Sequence, residues 1–405
     1  MSKPESAAHN TVQDARHAAP RGVTTGLILS GGGARAAYQV GVLAAIADLL
    51  PESADNPFPV IVGTSAGAIN AVSLACGALD FKQSVRKLTD VWQRFSTDLV
   101  YRTDWLGVTR QAGRFVFQHL LGFGRGTQPV ALLDNAPLRE LLLKELDFSG
   151  ISLAVARRKL RAVAITAFAY QSGQAVTFYQ GRGTIDPWVR HRRYGLPTRL
   201  RIEHLMASSA IPLLFAPERL NQEFFGDGAV RQAAPISPAL HLGADRVLVI
   251  GVRSQTQEEQ IIPITARPPT LAQIAGHLLN STFIDSLESD LELLGRLNML
   301  GDLLPGTERK KNLGLSPVDV LVISPSKKID EIAARHRHQL PASLRLFLRG
   351  SGATRANGGG VLSYLLFERG YCNELIELGY QDAMSKKDEL ITFLNLSPVQ
   401  SNTGE

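Results

Sequence analysis

The chain has 405 residues, of which 44% are hydrophobic and 20% charged, a balance that excludes an intrinsically disordered protein. The formal net charge of +6 is mild for this length; it permits an anionic partner such as a phospholipid surface without demanding one. Two cysteines, Cys76 and Cys372, exclude a disulfide framework or a cysteine zinc cluster and fit buried free thiols in a reducing compartment.

Residues 1–20 mix charges with Ala, Ser and Pro and carry no apolar core, so they read as a disordered leader rather than a signal peptide. No run reaches the ~18 apolar residues of a spanning helix. The expected setting is cytoplasmic, with peripheral contact at the inner membrane face left open.

From Arg21 the text becomes strand, glycine turn, helix. Val23–Ser30 is β-prone, Gly31-Gly32-Gly33 breaks it, and Ala34–Leu50 has helical spacing. After a proline-rich loop, the strand Val60–Val62 runs into Gly63-Thr64-Ser65-Ala66-Gly67 and a second helix to about Gly77. Such alternation predicts an α/β fold with a mostly parallel sheet and helices on its faces.

Residues 92–128 differ, mixing Trp92, Trp105, Phe115, Phe117 and Phe123 with arginines. They read as a helical insertion, either a lid or interfacial cover or an ordinary packed element. Asp134-Asn135-Ala136-Pro137 opens a helix to Leu146. Arg161–Tyr170 and Ala175–Tyr179 form a hairpin signal. Arg246–Val252 and Val318–Ile323 are buried-type strands, and helices are expected near 271–300, 329–348 and 361–395. The expected organisation is a catalytic domain over 21–255, a helical C-terminal elaboration over 256–395 with one strand near 318–323, and a tail from 396 to 405.

Gly63-x-Ser65-x-Gly67 between strand and helix is a nucleophile elbow: the sharp turn thrusts the serine outward, and the helix start aims backbone N–H groups at developing negative charge. Gly31-x-Gly33-x-x-Ala36 also fits a dinucleotide turn. That reading lacks the acid ~20 positions on that would hold a ribose. Consecutive glycines that let N–H groups approach a carbonyl, with Arg35 adding positive charge, fit an oxyanion hole better. Serine needs a base. The nine histidines offer isolated or solvated candidates; His277 would suit a Ser, Asp, His order. Asp227 is the better candidate. In Phe224-Phe225-Gly226-Asp227-Gly228-Ala229, a lone carboxylate stands between glycines, and a partly dry site would raise it from its usual ~3.9. The ordinary reading of an isolated match is an Asp-Gly turn.

Four blocks together resemble the patatin-like phospholipase family: Ser30-Gly31-Gly32-Gly33-Ala34-Arg35, Gly63-Thr64-Ser65-Ala66-Gly67, Ala207-Ser208-Ser209-Ala210-Ile211-Pro212 and Asp227-Gly228-Ala229. Ala36 stands where the glycine motif usually closes with Gly. The resemblance implies a three-layer fold and a Ser65–Asp227 dyad acting on acyl esters of phospholipids or related lipids. It places the oxyanion hole at Gly31, Gly32, Gly33 and Ala66, and implies Arg35 as a partner for lipid phosphate. No cofactor, metal or nucleic acid is expected, and the oligomeric state is left open. An acyltransferase or thioesterase would share the acyl-enzyme, and a non-catalytic lipid-binding scaffold would share the fold. The basic stretches Arg157-Arg158-Lys159 and Arg190-His191-Arg192-Arg193, with Arg199 and Arg201, could touch anionic headgroups, though a solvated or partner-facing loop explains them better.

Overall fold

The computed structural model describes residues 23–103, 131–254, 286–302, 317–351 and 359–396, with single positions 113, 274, 277 and 281. Of the expected insertion over 92–128, therefore, the part after Thr103 lies outside the described residues apart from Gly113, as do the leader and most of the tail.

Among the described residues, ten strands form one sheet. Its parallel core runs β10 (Asp319–Ile323), β9 (Arg246–Ile250), β1 (Thr25–Leu29), β2 (Val60–Thr64) and β3 (Ala162–Ala169). β4 (Gln174–Gly181) returns antiparallel to β3, followed by β6 (Arg193–Pro197) and β5 (Trp188–Arg190). A hairpin of β7 (Glu218–Leu220) and β8 (Glu223–Asp227) pairs with the last residues of β3.

Strand alternation produces two cores. Leu27, Leu29, Ile61, Val163, Ile165, Leu248 and Ile250 point to one face; Ile28, Val60, Val62, Ala164, Val247 and Val249 point to the other. Buried strands with both faces apolar need helices on both sides. The first face is covered by α1 (Ala37–Leu49), α2 (Ala66–Cys76), α3 (Phe81–Gln93), α4 (Ala136–Glu145) and α5 (Ser149–Ala156). It also carries α6 (Ile202–Ser208). The opposite face is covered by α7 (Ser237–His241) and α8 (Ser286–Asp302).

The C-terminal region is not one continuous helix over 329–348, nor over 361–395. It is divided into α9 (Ile329–His336), α10 (Ala342–Ser351), α11 (Gly359–Leu365), α12 (Arg369–Ser385) and α13 (Lys387–Leu394). Pro341 cannot continue a helix, which accounts for the first division. Strand β10 belongs to the same sheet as β1 and β2, and α12 packs along α1. Among the described residues, no helix is long and apolar enough to cross a membrane.

The chain leaves β1 toward β2 on one side and places β9 on the other, so the sheet order switches direction at β1. In open parallel sheets, ligand sites form beyond the strand C-termini at such a switch. The loop after β1 holds Gly31–Gly33, and the turn after β2 holds Ser65.

Candidate active site

Ser65 sits at φ 56°, ψ −129°, a backbone conformation that non-glycine residues rarely adopt and that costs on the order of 1–3 kcal/mol. What holds it there is close packing. A Cβ on Gly63 would overlap the carbonyl of Gly67, and one on Gly67 would overlap the carbonyl of Leu29. The Ser65 N–H also donates to Ser208 Oγ at 3.0 Å, and Ser208 Oγ–H donates to the Thr166 carbonyl at 2.7 Å. Ser208, at the end of α6, thereby ties the elbow to β3. The serine's own N–H is spent on this bond, leaving the N–H of Ala66, first residue of α2, without an intrahelical acceptor.

The Ser65 hydroxyl donates directly to Asp227 Oδ2 at 2.5 Å. Asp227 ends β8, and its Oδ1 accepts from the Ala229 N–H at 3.0 Å. The carboxylate is thus divided: one oxygen fixes orientation and the other faces the serine. The backbone N–H of Asp227 donates to the Ala210 carbonyl at 2.8 Å. Gly228 lies so close to the Thr166 carbonyl that a side chain would not fit. Complete burial, partly offset by the bonds from Ser65 and Ala229, pushes the Asp227 carboxyl up to about 7.

Gly33 adopts φ +56° at the start of a 3-10 turn over Gly33–Ala36, and Gly31 and Gly32 precede it in the loop from β1. A buried network pins this loop. Gln39 donates to the Ser30 carbonyl at 2.8 Å, Asn70 donates to the Ala36 carbonyl at 3.2 Å and to Gln39 Oε1 at 3.0 Å, and Trp92 Nε1 donates to Asn70 Oδ1 at 2.9 Å. Sequence reading assigns no role to Gln39 or Asn70, and it takes Ser208 only as part of the block Ala207–Pro212; Asn70 follows the elbow on a buried helix, where a lone amide is itself a signal.

Arg35 corrects an expectation. Its guanidinium does not face the Ser65 cavity. It donates to Ser363 Oγ at 2.9 Å, pairs with Asp330 at 2.7 Å and lies 4.1 Å from the Tyr364 ring centroid. With the side chain 4% exposed, it clamps the glycine turn to α9 and α11 instead of meeting a lipid phosphate. Among the described residues, no histidine bonds to Ser65 or lines the cavity over it. His204 Nδ1 accepts the Arg201 N–H at 3.1 Å, His336 pairs with Glu374, and His277 is exposed. The stretch Arg190–Arg193 forms the β5–β6 hairpin at the sheet edge, with Arg190, His191 and Arg192 exposed.

A cavity opens over Ser65 between Gly33 and Ala66. Its walls are Ile69, Trp92, Phe95, Val100, Leu138, Ile211 and Phe215, with Ser209 beside them and Tyr364, Leu365 and Phe367 closing it from the C-terminal region. Trp92, Phe95, Tyr101 and Phe367 form an aromatic cluster, and Tyr101 donates to the Leu365 carbonyl at 2.8 Å. The space left is about 30 Å³, room for about one water molecule. Ser65 is 2% exposed and Asp227 is fully buried, so both groups sit below the surface. A separate open groove of about 970 Å³ is lined by Gln174, Tyr194, Arg201 and Arg219, and neither Ser65 nor Asp227 reaches it. Among the described residues, no group of three or more His, Cys, Asp or Glu side chains could hold a metal ion.

A three-layer α/β protein with a serine elbow and a directly bonded aspartate is the architecture before us. The Patatin-like phospholipase family matches residues 27–240. The chain belongs to this family. It is 26% identical over 216 residues to a cGAMP-activated phospholipase of Pseudomonas aeruginosa, a match covering 53% of this chain and 55% of the relative. The chain thus spans about half the length of that curated relative. Solved structures with lower similarity include VipD from Legionella pneumophila (12% identity, TM-score 0.33, 90% of this chain and 67% of that one). Human GIVD cytosolic phospholipase A2 is another (11% identity, TM-score 0.43, 92% of this chain and 60% of that one).

Proposed function

We propose that the protein is a lipid acyl hydrolase that cleaves fatty acyl esters through a Ser65–Asp227 dyad. The observation that carries this reading is the 2.5 Å bond from the Ser65 hydroxyl to a buried carboxylate at the base of an apolar cavity. A carboxylate raised to about 7 is near the pH at which a general base works best in neutral solution.

Ser65 Oγ attacks the ester carbonyl carbon and passes its proton to Asp227 Oδ2. Backbone N–H groups of the Gly31–Gly33 turn and of Ala66 receive the charge that develops on the carbonyl oxygen. As the tetrahedral intermediate collapses, the carbon–oxygen bond to the alcohol breaks, and Asp227 returns the proton to that leaving oxygen. Water then attacks the acyl-serine. Asp227 takes the water's proton and delivers it to Ser65 Oγ as the fatty acid leaves. An alcohol or thiol in place of water would give an acyltransferase by the same steps.

The apolar walls suit an acyl chain, but about 30 Å³ admits none. Access for an acyl chain therefore requires a wall of the cavity to shift, and Leu365 and Phe367 belong to one such wall. The curated relative is named for activation by cGAMP, which makes a cyclic dinucleotide one effector to add in the assay.

The test is labelling of Ser65 by an alkyl fluorophosphonate, together with fatty acid release from mixed phospholipid vesicles, for wild type and Ser65→Ala. Labelling and release by wild type alone supports the reading. Labelling without release from any lipid would keep the nucleophile and remove the phospholipid substrate. No labelling, with or without effector, would point to a scaffold.

A further inference from the structure

Ser209 stands next to Ser208 at the end of α6, yet the two hydroxyls have different surroundings. Ser208 Oγ accepts from the Ser65 N–H and donates to the Thr166 carbonyl. Ser209 Oγ is buried and has no hydrogen-bond partner among the described residues. The residue as a whole is 7% exposed and lines the same cavity as Ser65.

A buried hydroxyl with no protein partner gives up its bonds to bulk water on folding, so it needs an explanation. Loose local backbone does not supply one. The Ser209 N–H donates to the Leu205 carbonyl at 3.0 Å, and its own carbonyl accepts from the Ile211 N–H at 3.0 Å. One residue further, the Ala210 carbonyl holds the backbone N–H of Asp227. The segment that aims Ser209 into the cavity is thus the one that anchors the base.

Apart from Ser65 and the backbone N–H groups of the glycine turn and Ala66, the other lining groups leave little polar capacity. Trp92 Nε1 is engaged by Asn70, the Leu365 carbonyl by Tyr101, and most of the remaining walls are aliphatic or aromatic. A lipid whose chain fills those walls brings one polar group to this depth, the ester being cleaved. We infer that Ser209 is a substrate-contacting residue whose hydroxyl donates to an oxygen of the scissile ester, a role that rests on Ser65 being the acyl nucleophile.

The stability readout separates this role from a structural one. If Ser209 serves the substrate, Ser209→Ala removes an unsatisfied polar atom and leaves the free protein equally or more stable. The ester loses its partner in the same change. The expected result is a fall of about tenfold in kcat/KM on a soluble fatty acyl ester, a similar slowing of Ser65 labelling by the fluorophosphonate, and a Tm unchanged or raised.

Unchanged turnover and labelling in Ser209→Ala would overturn the inference while leaving the nucleophile in place. A Tm lowered by more than about 2 °C, with both rates falling in step, would also overturn it by making Ser209 structural. If wild-type Ser65 itself resists labelling, the nucleophile assignment fails first and the role of Ser209 falls with it.

Discussion

The Ser65 hydroxyl reaches Asp227 without an intermediary, at 2.5 Å, while Ala229 holds the other carboxylate oxygen. Two residues 162 positions apart are brought together because β8 pairs with the end of β3, beside the strand that carries the elbow. Replacing either partner should therefore remove chemistry and leave the fold. Ser65→Ala and Asp227→Asn are each expected to lower ester turnover by at least about 10³-fold. Circular dichroism should stay native, and residual activity near wild type in either variant would exclude the dyad.

The raised carboxyl of Asp227 fixes the sign of the pH dependence. Only the ionised form accepts the serine proton, so turnover of a soluble ester should climb as pH passes about 7 and level off above it. Stability runs the other way. The folded value exceeds the unfolded one, so this group's contribution is full below about 4 and lost as pH rises through about 7. Urea unfolding at pH 5 and pH 8 should therefore show wild type losing on the order of 2–3 kcal/mol relative to Asp227→Asn. An equal pH response in both proteins would mean that Asp227 titrates normally.

Ser208 bridges the strained elbow to β3. In Ser208→Ala the buried N–H of Ser65 and the carbonyl of Thr166 both lose a partner, with an expected cost of about 1–3 kcal/mol. Turnover should fall with the loosening of the φ 56° serine. Thermal unfolding that matched wild type would deny Ser208 this supporting role.

Gly33 tolerates no side chain. Its φ of +56° disfavours any Cβ, and that Cβ would overlap the Tyr364 carbonyl oxygen. Gly33→Ala is expected to cost at least about 2 kcal/mol and to push the Tyr364 segment outward. Hydrogen exchange confined to the glycine turn, with none at 359–368, would contradict that linkage.

Tyr101 is a wholly buried tyrosine that spends its hydroxyl on the Leu365 carbonyl. Tyr101→Phe keeps the ring and releases the segment at a cost of about 1–2 kcal/mol. If the segment controls entry, Ser65 should be labelled by a fluorophosphonate several-fold faster than in wild type. An unaltered rate would make Leu365 and Phe367 a fixed wall.

Much of this arrangement could be read in the sequence where the signal is local. A strand, a glycine break and a helix recur at Thr25–Leu49 and Val60–Cys76 within a few residues of their expected bounds. Asp227 stood out because glycines flank it. The partner of Arg35 was not legible, because Asp330 and Ser363 lie 295 and 328 positions away and the choice between them and a lipid is made by packing. Nor does sequence distinguish Ser208 from Ser209. Helical rotation of about 100° per residue sends one hydroxyl to the backbone and the other into the cavity. The division of the C-terminal helices was signalled by Pro341, but residues 366–368 carry neither Gly nor Pro to mark the second.

The family match ends at residue 240, while Tyr364, Leu365 and Phe367 complete the cavity wall and Asp330 and Ser363 grip Arg35. One wall of the chamber thus comes from outside the matched stretch, and the rest from within it. Substitutions at Leu365 and Phe367 would therefore reshape one wall of the chamber while leaving the Ser65–Asp227 bond in place.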